Sequence, residues 1–186
     1  MVRAIMHGCN GHMGQVITGL IKADEGIELV AGIDKYTGIA NDYPVFESLE
    51  KCDVEADVII DFSNAAAADA LLTYCEEKKM PVVLCTTGLS EEQLAKIPEA
   101  AKKTAVLKSA NMSLGINLLM KLLKEATKVL APAGYDMEIV EKHHNQKLDA
   151  PSGTAIALAD SMNEAMDEAY HYVYDRSQER KKRDTK

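Results

Sequence analysis

The stretch Ala56-Asp-Val-Ile-Ile-Asp-Phe-Ser63 limits what this chain can fold into more than any other. It is apolar on both faces, so it reads as a strand covered on both sides, the habit of a parallel sheet. The segments around it agree. VRAIMHG (2–8), ELVAGID (28–34), PVVLCTTG (81–88) and TAVLKSAN (104–111) also read as strands. QVITGLIKA (15–23), AAAADALLTYCEEKK (65–79) and EEQLAKIPEAAKK (91–103) read as helices between them, and VFESLEK (45–51) as a short helix. Alternation of this kind predicts an α/β fold, a Rossmann-like parallel sheet with helices on both faces.

After residue 111 the character changes. Residues 113–131 form a long amphipathic helix on Leu118, Leu119, Leu122 and Leu123. YDMEIVEKHH (135–144) reads as a strand ending at two histidines, TAIALADSMNEAM (154–166) as a helix, and YHYVYD (170–175) as strand. The sequence therefore divides into a dinucleotide-binding domain over 1–111 and a second domain over 112–186.

Apolar residues make up 47% of the 186, enough for a packed core, and the net charge of −8 argues against a nucleic-acid binder. Cys9, Cys52, Cys75 and Cys85 form no C-x-x-C pair and read as reduced, half-buried thiols. The start MVRAIMHG does not read as a signal peptide, and no apolar run reaches transmembrane length. The expectation is a cytoplasmic protein with no membrane partner.

Gly8-Cys-Asn-Gly-His-Met-Gly14 follows a strand and opens a helix. In that setting glycines allow a tight turn, and backbone N–H groups approach a pyrophosphate at the helix N-terminus. Asn10 stands near the usual middle glycine and tolerates left-handed backbone angles. Asp34 ends the second strand, where a carboxylate bonds the adenosine ribose, and Lys35 suits a 2′-phosphate. The pair points to NADH, NADPH or both. The ends of the later strands, Asp61-Phe-Ser63, Cys85-Thr-Thr-Gly88 and Ser109-Ala-Asn-Met112, are expected in the same crevice.

Glu141-Lys-His-His-Asn-Gln-Lys-Leu-Asp-Ala-Pro-Ser-Gly-Thr-Ala155 gathers proton donors, a cation and a helix start. Small residues leave the first-turn N–H groups accessible, the helix dipole favours an anion, and Lys147 adds a full charge. The loop reads as a receptor for a carboxylate or phosphate, with histidine as proton donor. Ser152 and Asp149 also suit plain helix caps. Consecutive histidines at a strand end point to opposite faces, and no nearby cysteine or acidic cluster completes a ligand set, so no metal site is expected.

That last stretch resembles the signature of the 4-hydroxy-tetrahydrodipicolinate reductase family. Gly8–Gly14, Asp61-Phe-Ser63, Thr86-Thr-Gly88 and Ser109-Ala-Asn-Met-Ser-Leu-Gly115 match the same family in order, out to about Asp175. The resemblance implies a substrate domain of α+β type on a mixed sheet, usually in a homotetramer. It implies reduction of a small cyclic dicarboxylate by NADH or NADPH in the diaminopimelate route to lysine. It makes His143 the acid and Lys147 a second proton donor. His144, Gly153 and Thr154 would hold the substrate's carboxylates. Gly8, Cys9, Asn10, Gly11, His12, Met13, Asp34, Lys35, Cys85, Thr86, Thr87, Ser109, Ala110, Asn111 and Met112 would line the cofactor.

Three departures stand out. His12 occupies a position where many members carry arginine, and Cys85 one where glycine is common. Members of the family also run on past the point where this chain stops, adding strands of the substrate-domain sheet. The second domain is therefore expected to be incomplete at its C-terminal end, with an unpaired sheet edge. The alternative to a working reductase is a nucleotide-binding homologue impaired in catalysis.

Overall fold

Each of the five apolar runs in the first part of the chain forms a strand: β1 (Val2–His7), β2 (Ile27–Ile33), β4 (Val58–Asp61), β5 (Val82–Leu84) and β6 (Val106–Lys108). A two-residue strand, β3 (Val45–Phe46), joins them, and three helices alternate with them: α1 (His12–Ile21), α2 (Ala68–Lys78) and α3 (Glu91–Ala101). All pairings are parallel, in the order β3-β2-β1-β4-β5-β6. The computed structural model describes residues 1–109, 111–145, 147, 150–175, 177–178 and 180–182, which fall into two units, Met1–Ser109 and Ala110–Lys186.

Successive strand residues face opposite sides of the sheet. Ile5 and Ile59 accordingly join Leu71, Leu72 and Cys75 of α2 in one core cluster, while Met6 joins Tyr43 and Cys9 in another, packed by Ile17 of α1 and by Ile60. Helices thus cover both faces of the sheet, as the two-sided apolar runs predicted. The β1–β2 register shifts between Ala4 and Ile5, and Leu29 and Ala31 consequently serve opposite clusters. The chain leaves β1 toward β2 on one side and crosses back to β4 on the other. The switch point, where ligands sit in such sheets, is therefore at the carboxyl ends of β1 and β4.

The predicted helix over 45–51 is corrected. Val45 and Phe46 pair with Gly32 and Ile33 as the sheet edge, and only Leu49–Lys51 form a single 3₁₀ turn. A β-branched and an aromatic residue beside an open strand edge gain more from the sheet than from a short helix.

The second unit has two helices packed on each other, α4 (Leu114–Leu130) and α5 (Gly153–Glu164). Ser113 caps α4 and Ser152 caps α5, each accepting an N–H in the first turn. Ser161 Oγ donates to Met120 O at 3.0 Å, and Lys124 pairs with Glu164 at 2.6 Å, tying the two together. The mixed sheet expected here is a correction: among the described residues of this unit no segment forms a strand, neither 135–144 nor 170–175. A strand exists only as a paired backbone. These segments have no ladder partner among the described residues, and Val140 is 93% exposed. No helix among the described residues is long and apolar enough to cross a membrane.

Candidate active site: a nucleotide turn and a histidine loop

The turn after β1 is built from glycine where the backbone demands it. Gly8 has φ +80°, and a Cβ there would lie 2.7 Å from Phe62 O. A Cβ on Gly14 would lie 2.2 Å from Gly8 O, so the first turn of α1 is pressed against the loop before it. Gly11 caps α1 with no side-chain bond, leaving the helix start without a side-chain acceptor. This is the form that receives a pyrophosphate.

Asp34 closes the turn. Its carboxylate accepts the Asn10 N–H and the Tyr36 N–H, each at 3.0 Å. The Asn10 side chain donates to Tyr36 O and accepts from Asn41 at 2.8 Å, so Asn10 braces the loop with its amide. Lys35, His12 and Met13 are exposed beside it. Cys9 differs from expectation: its side chain is fully buried against Gly32 and Tyr43, and burial, then the Asp34 charge, pushes its thiol up to about 11. Only its backbone belongs to the turn.

At the ends of β1, β4 and β5 lies a buried polar cluster. Asp61 is 0% exposed; its Oδ1 accepts the Ser63 hydroxyl at 2.6 Å and lies 2.8 Å from His7 Nδ1. Ser63 Oγ is 3.4 Å from Thr86 Oγ1. Burial alone would raise the Asp61 pKa, but hydrogen bonding from His7, Ser63 and Thr86 outweighs it and holds the group below the usual carboxylate value. The Thr86 side chain is therefore turned inward, whereas Thr87 is exposed. Cys85 is buried, and burial followed by the Asp61 charge pushes its thiol up to about 11, leaving it protonated and unreactive. Ser109 N donates to Leu84 O at 3.1 Å, extending the β5–β6 pairing.

In the second unit Glu141 organises the histidine loop. One carboxylate oxygen accepts the Ser152 N–H at 2.8 Å, and the other lies 3.4 Å from His143 Nδ1. The Ser152 hydroxyl, then its backbone N–H, hold Glu141 below the usual carboxylate range. A carboxylate on Nδ1 leaves Nε2 of His143 as the nitrogen directed away from it. Lys147 N donates to His144 O at 3.2 Å, closing the turn after the histidines. Thr154, in the first turn of α5, accepts the Asn111 side-chain N–H at 3.1 Å, and Asn111 Oδ1 accepts the Ser113 N–H at 2.8 Å. Asn111, expected to line the cofactor, thus ties its amide to the start of α5 and to the cap of α4. Met112 is exposed, and Ala110 and Asp149 lie outside the described residues. Among the described residues no group of three His, Cys, Asp or Glu is placed to hold a metal ion.

Sequence reasoning passed over His7 and Glu141. A histidine inside an apolar strand carries no local signal. Glu141 had one: it lies two residues before His143 in a segment that reads as strand, a spacing that puts both on one side.

Comparison with known proteins agrees with this geometry. Residues 2–112 match the family model described as dihydrodipicolinate reductase, N-terminus, and residues 115–186 the one described as dihydrodipicolinate reductase, C-terminus. The chain is 50% identical over 177 residues to 4-hydroxy-tetrahydrodipicolinate reductase of Clostridium tetani, covering 95% of this chain and 69% of that protein. It is 52% identical over 176 residues to that of Caldanaerobacter subterraneus subsp. tengcongensis, with the same coverage of 95% and 69%. The dipicolinate-bound dihydrodipicolinate reductase from Paenisporosarcina sp. TG-14 superposes with a TM-score of 0.75 at 29% identity, over 97% of this chain and 71% of that one. On these matches and on the sheet order that carries its glycine turn, the chain belongs to the dihydrodipicolinate reductase family.

Proposed function

We propose that this chain reduces 4-hydroxy-tetrahydrodipicolinate to tetrahydrodipicolinate in the diaminopimelate route to lysine, using a nicotinamide nucleotide. The observation that carries the reading is Glu141, which holds His143 with one oxygen and the N-cap of α5 with the other. One carboxylate thereby sets an acid beside an anion-receiving helix start. In the reaction one hydride and one proton enter and one water leaves. A bound nicotinamide nucleotide would supply the hydride. His143 gives that one proton, and Lys147 supplies a positive field and stands as the second donor from which it can come. His144 and the Gly153 and Thr154 N–H groups receive the substrate's carboxylates.

The test is oxidation of NADH and NADPH by the chain, with substrate made in situ by the preceding enzyme of the route. Nucleotide binding is measured on the same sample. Substrate-dependent oxidation is expected. Binding without oxidation would favour the impaired homologue instead.

The acid at the end of β2 supports NADH as the better cofactor, because a carboxylate bonds a free ribose diol and repels a 2′-phosphate. Exposed Lys35 lets NADPH be tolerated. Asp34→Ala is expected to weaken NADH binding about tenfold, the scale of a lost charged hydrogen bond, while NADPH binding changes far less. Titration of both nucleotides decides this, and an equal loss for the two would remove Asp34 from ribose recognition.

Glu141→Gln removes the charge opposite His143 but keeps an acceptor for Ser152. Turnover is expected to fall roughly tenfold, the scale of one charge-assisted hydrogen bond, with the thermal midpoint near that of the native chain. A full loss of midpoint with turnover preserved in the folded fraction would make Glu141 a cap alone.

A further inference from the structure

The His7–Asp61 pair is not explained by the chemistry above. It lies in the first unit, and neither side chain is among the groups assigned to the reaction. His7 and Asp61 are register partners at the last positions of β1 and β4, on the two sides of the switch point. Both are buried, at 9% and 0% exposure. A buried carboxylate is costly, and apolar residues would join two strands at lower cost. A purely structural role therefore explains the pair poorly.

What the pair does touch lies toward the crevice. The Asp61 oxygen that faces His7 also accepts the Ser63 hydroxyl at 2.6 Å and the Ser63 N–H at 3.3 Å. Ser63 reaches Thr86 at 3.4 Å, at the head of the Thr86-Thr87-Gly88 turn. On the other side, Phe62 N donates to His7 O at 3.0 Å, and Phe62 O is the atom that a Cβ on Gly8 would strike at 2.7 Å. The two loops framing the switch point are thus referenced to one carboxylate. His7 Nδ1 lies 2.8 Å from Asp61 Oδ1, and Asp61 Oδ2 has no partner among the described residues.

We propose that His7 is a positioning residue for the cofactor: it compensates buried Asp61, which in turn fixes the Ser63 and Thr86 hydroxyls and the seat of Gly8. The proposal rests on the reading that a nicotinamide nucleotide occupies this crevice. His7 acts through Asp61 and Ser63, not by touching the nucleotide.

The test is NADH binding by fluorescence titration, with thermal midpoints measured in parallel, on the native chain, His7→Leu, His7→Asn, Ser63→Ala and the His7→Leu/Ser63→Ala double variant. His7→Leu keeps bulk but leaves Asp61 uncompensated, and is expected to weaken NADH about tenfold. His7→Asn returns a donor opposite Asp61 and is expected to recover most of that loss. The double variant is expected to bind no more weakly than His7→Leu, because both changes act through one carboxylate. A merely structural pair would shift the midpoint and leave the dissociation constant of the folded fraction alone. That result, or full additivity in the double variant, would overturn the proposal. If His7→Leu does not fold, Ser63→Ala decides: unchanged NADH affinity there sinks the proposal by itself. A native chain that binds no nicotinamide nucleotide sinks both this inference and the functional reading beneath it, whereas native binding with an indifferent His7 sinks the inference alone.

Discussion

Replacing His143 with Gln lowers kcat for substrate-dependent NADH oxidation by roughly 10²–10³-fold, the usual worth of a positioned general acid, and leaves NADH affinity unchanged. The asymmetry follows from where the groups lie. His143 and its Glu141 partner belong to the second unit, whereas the glycine turn and Asp34 belong to the first. Glutamine keeps much of the bulk and a donor, so the anion loop retains its shape. What it lacks is a proton to release. A loss of about 2.7–4 kcal/mol of transition-state stabilisation without a change in nucleotide affinity is the signature of an interaction made only as the reaction proceeds. Steady-state kinetics with both substrates, beside an NADH titration, measures the two halves separately. Turnover that survives the change would move the acid role to Lys147 or to water.

The parts of the molecule that could be read without coordinates share a property: their signal is local. The apolar run over Val58–Asp61 is a strand wherever it is placed, because both its faces are covered. The glycine turn announces itself by composition, since Gly8 and Gly14 stand where no Cβ fits. The misreadings are non-local. Val45-Phe46 is a strand only because Gly32 and Ile33 offer an edge, and residues 135–144 are not one because no ladder partner stands beside them among the described residues. His7 is silent for the same reason, as its meaning comes from Asp61 on the neighbouring strand. Asn111 carries no local signal for its bonds to Thr154 and Ser113, because Thr154 lies 43 residues further along the chain.

Two glycines of one helix give the second large effect, with opposite signs. Gly14→Ala puts a Cβ at 2.2 Å from Gly8 O and 2.7 Å from Cys9 C and O, all of them backbone atoms. None of these can swing aside as a side-chain tip would. The start of α1 must therefore move away from the turn, and the N–H groups meant for the pyrophosphate move with it. Overpacking of this kind costs about 1–3 kcal/mol. NADH affinity is expected to fall at least about tenfold, since each 1.4 kcal/mol of lost interaction is a decade. Gly19, on the same helix, has nothing within 4 Å of an added Cβ. Gly19→Ala is expected to stabilise the chain by about 0.5–1 kcal/mol through helix propensity, with NADH binding as in the native chain. Thermal melts and NADH titrations of the two variants form one experiment. Opposite shifts of the midpoint, with binding lost only in Gly14→Ala, would tie nucleotide recognition to the close approach of helix and turn. Binding retained in Gly14→Ala would mean that the turn yields without consequence and that the pyrophosphate is held elsewhere.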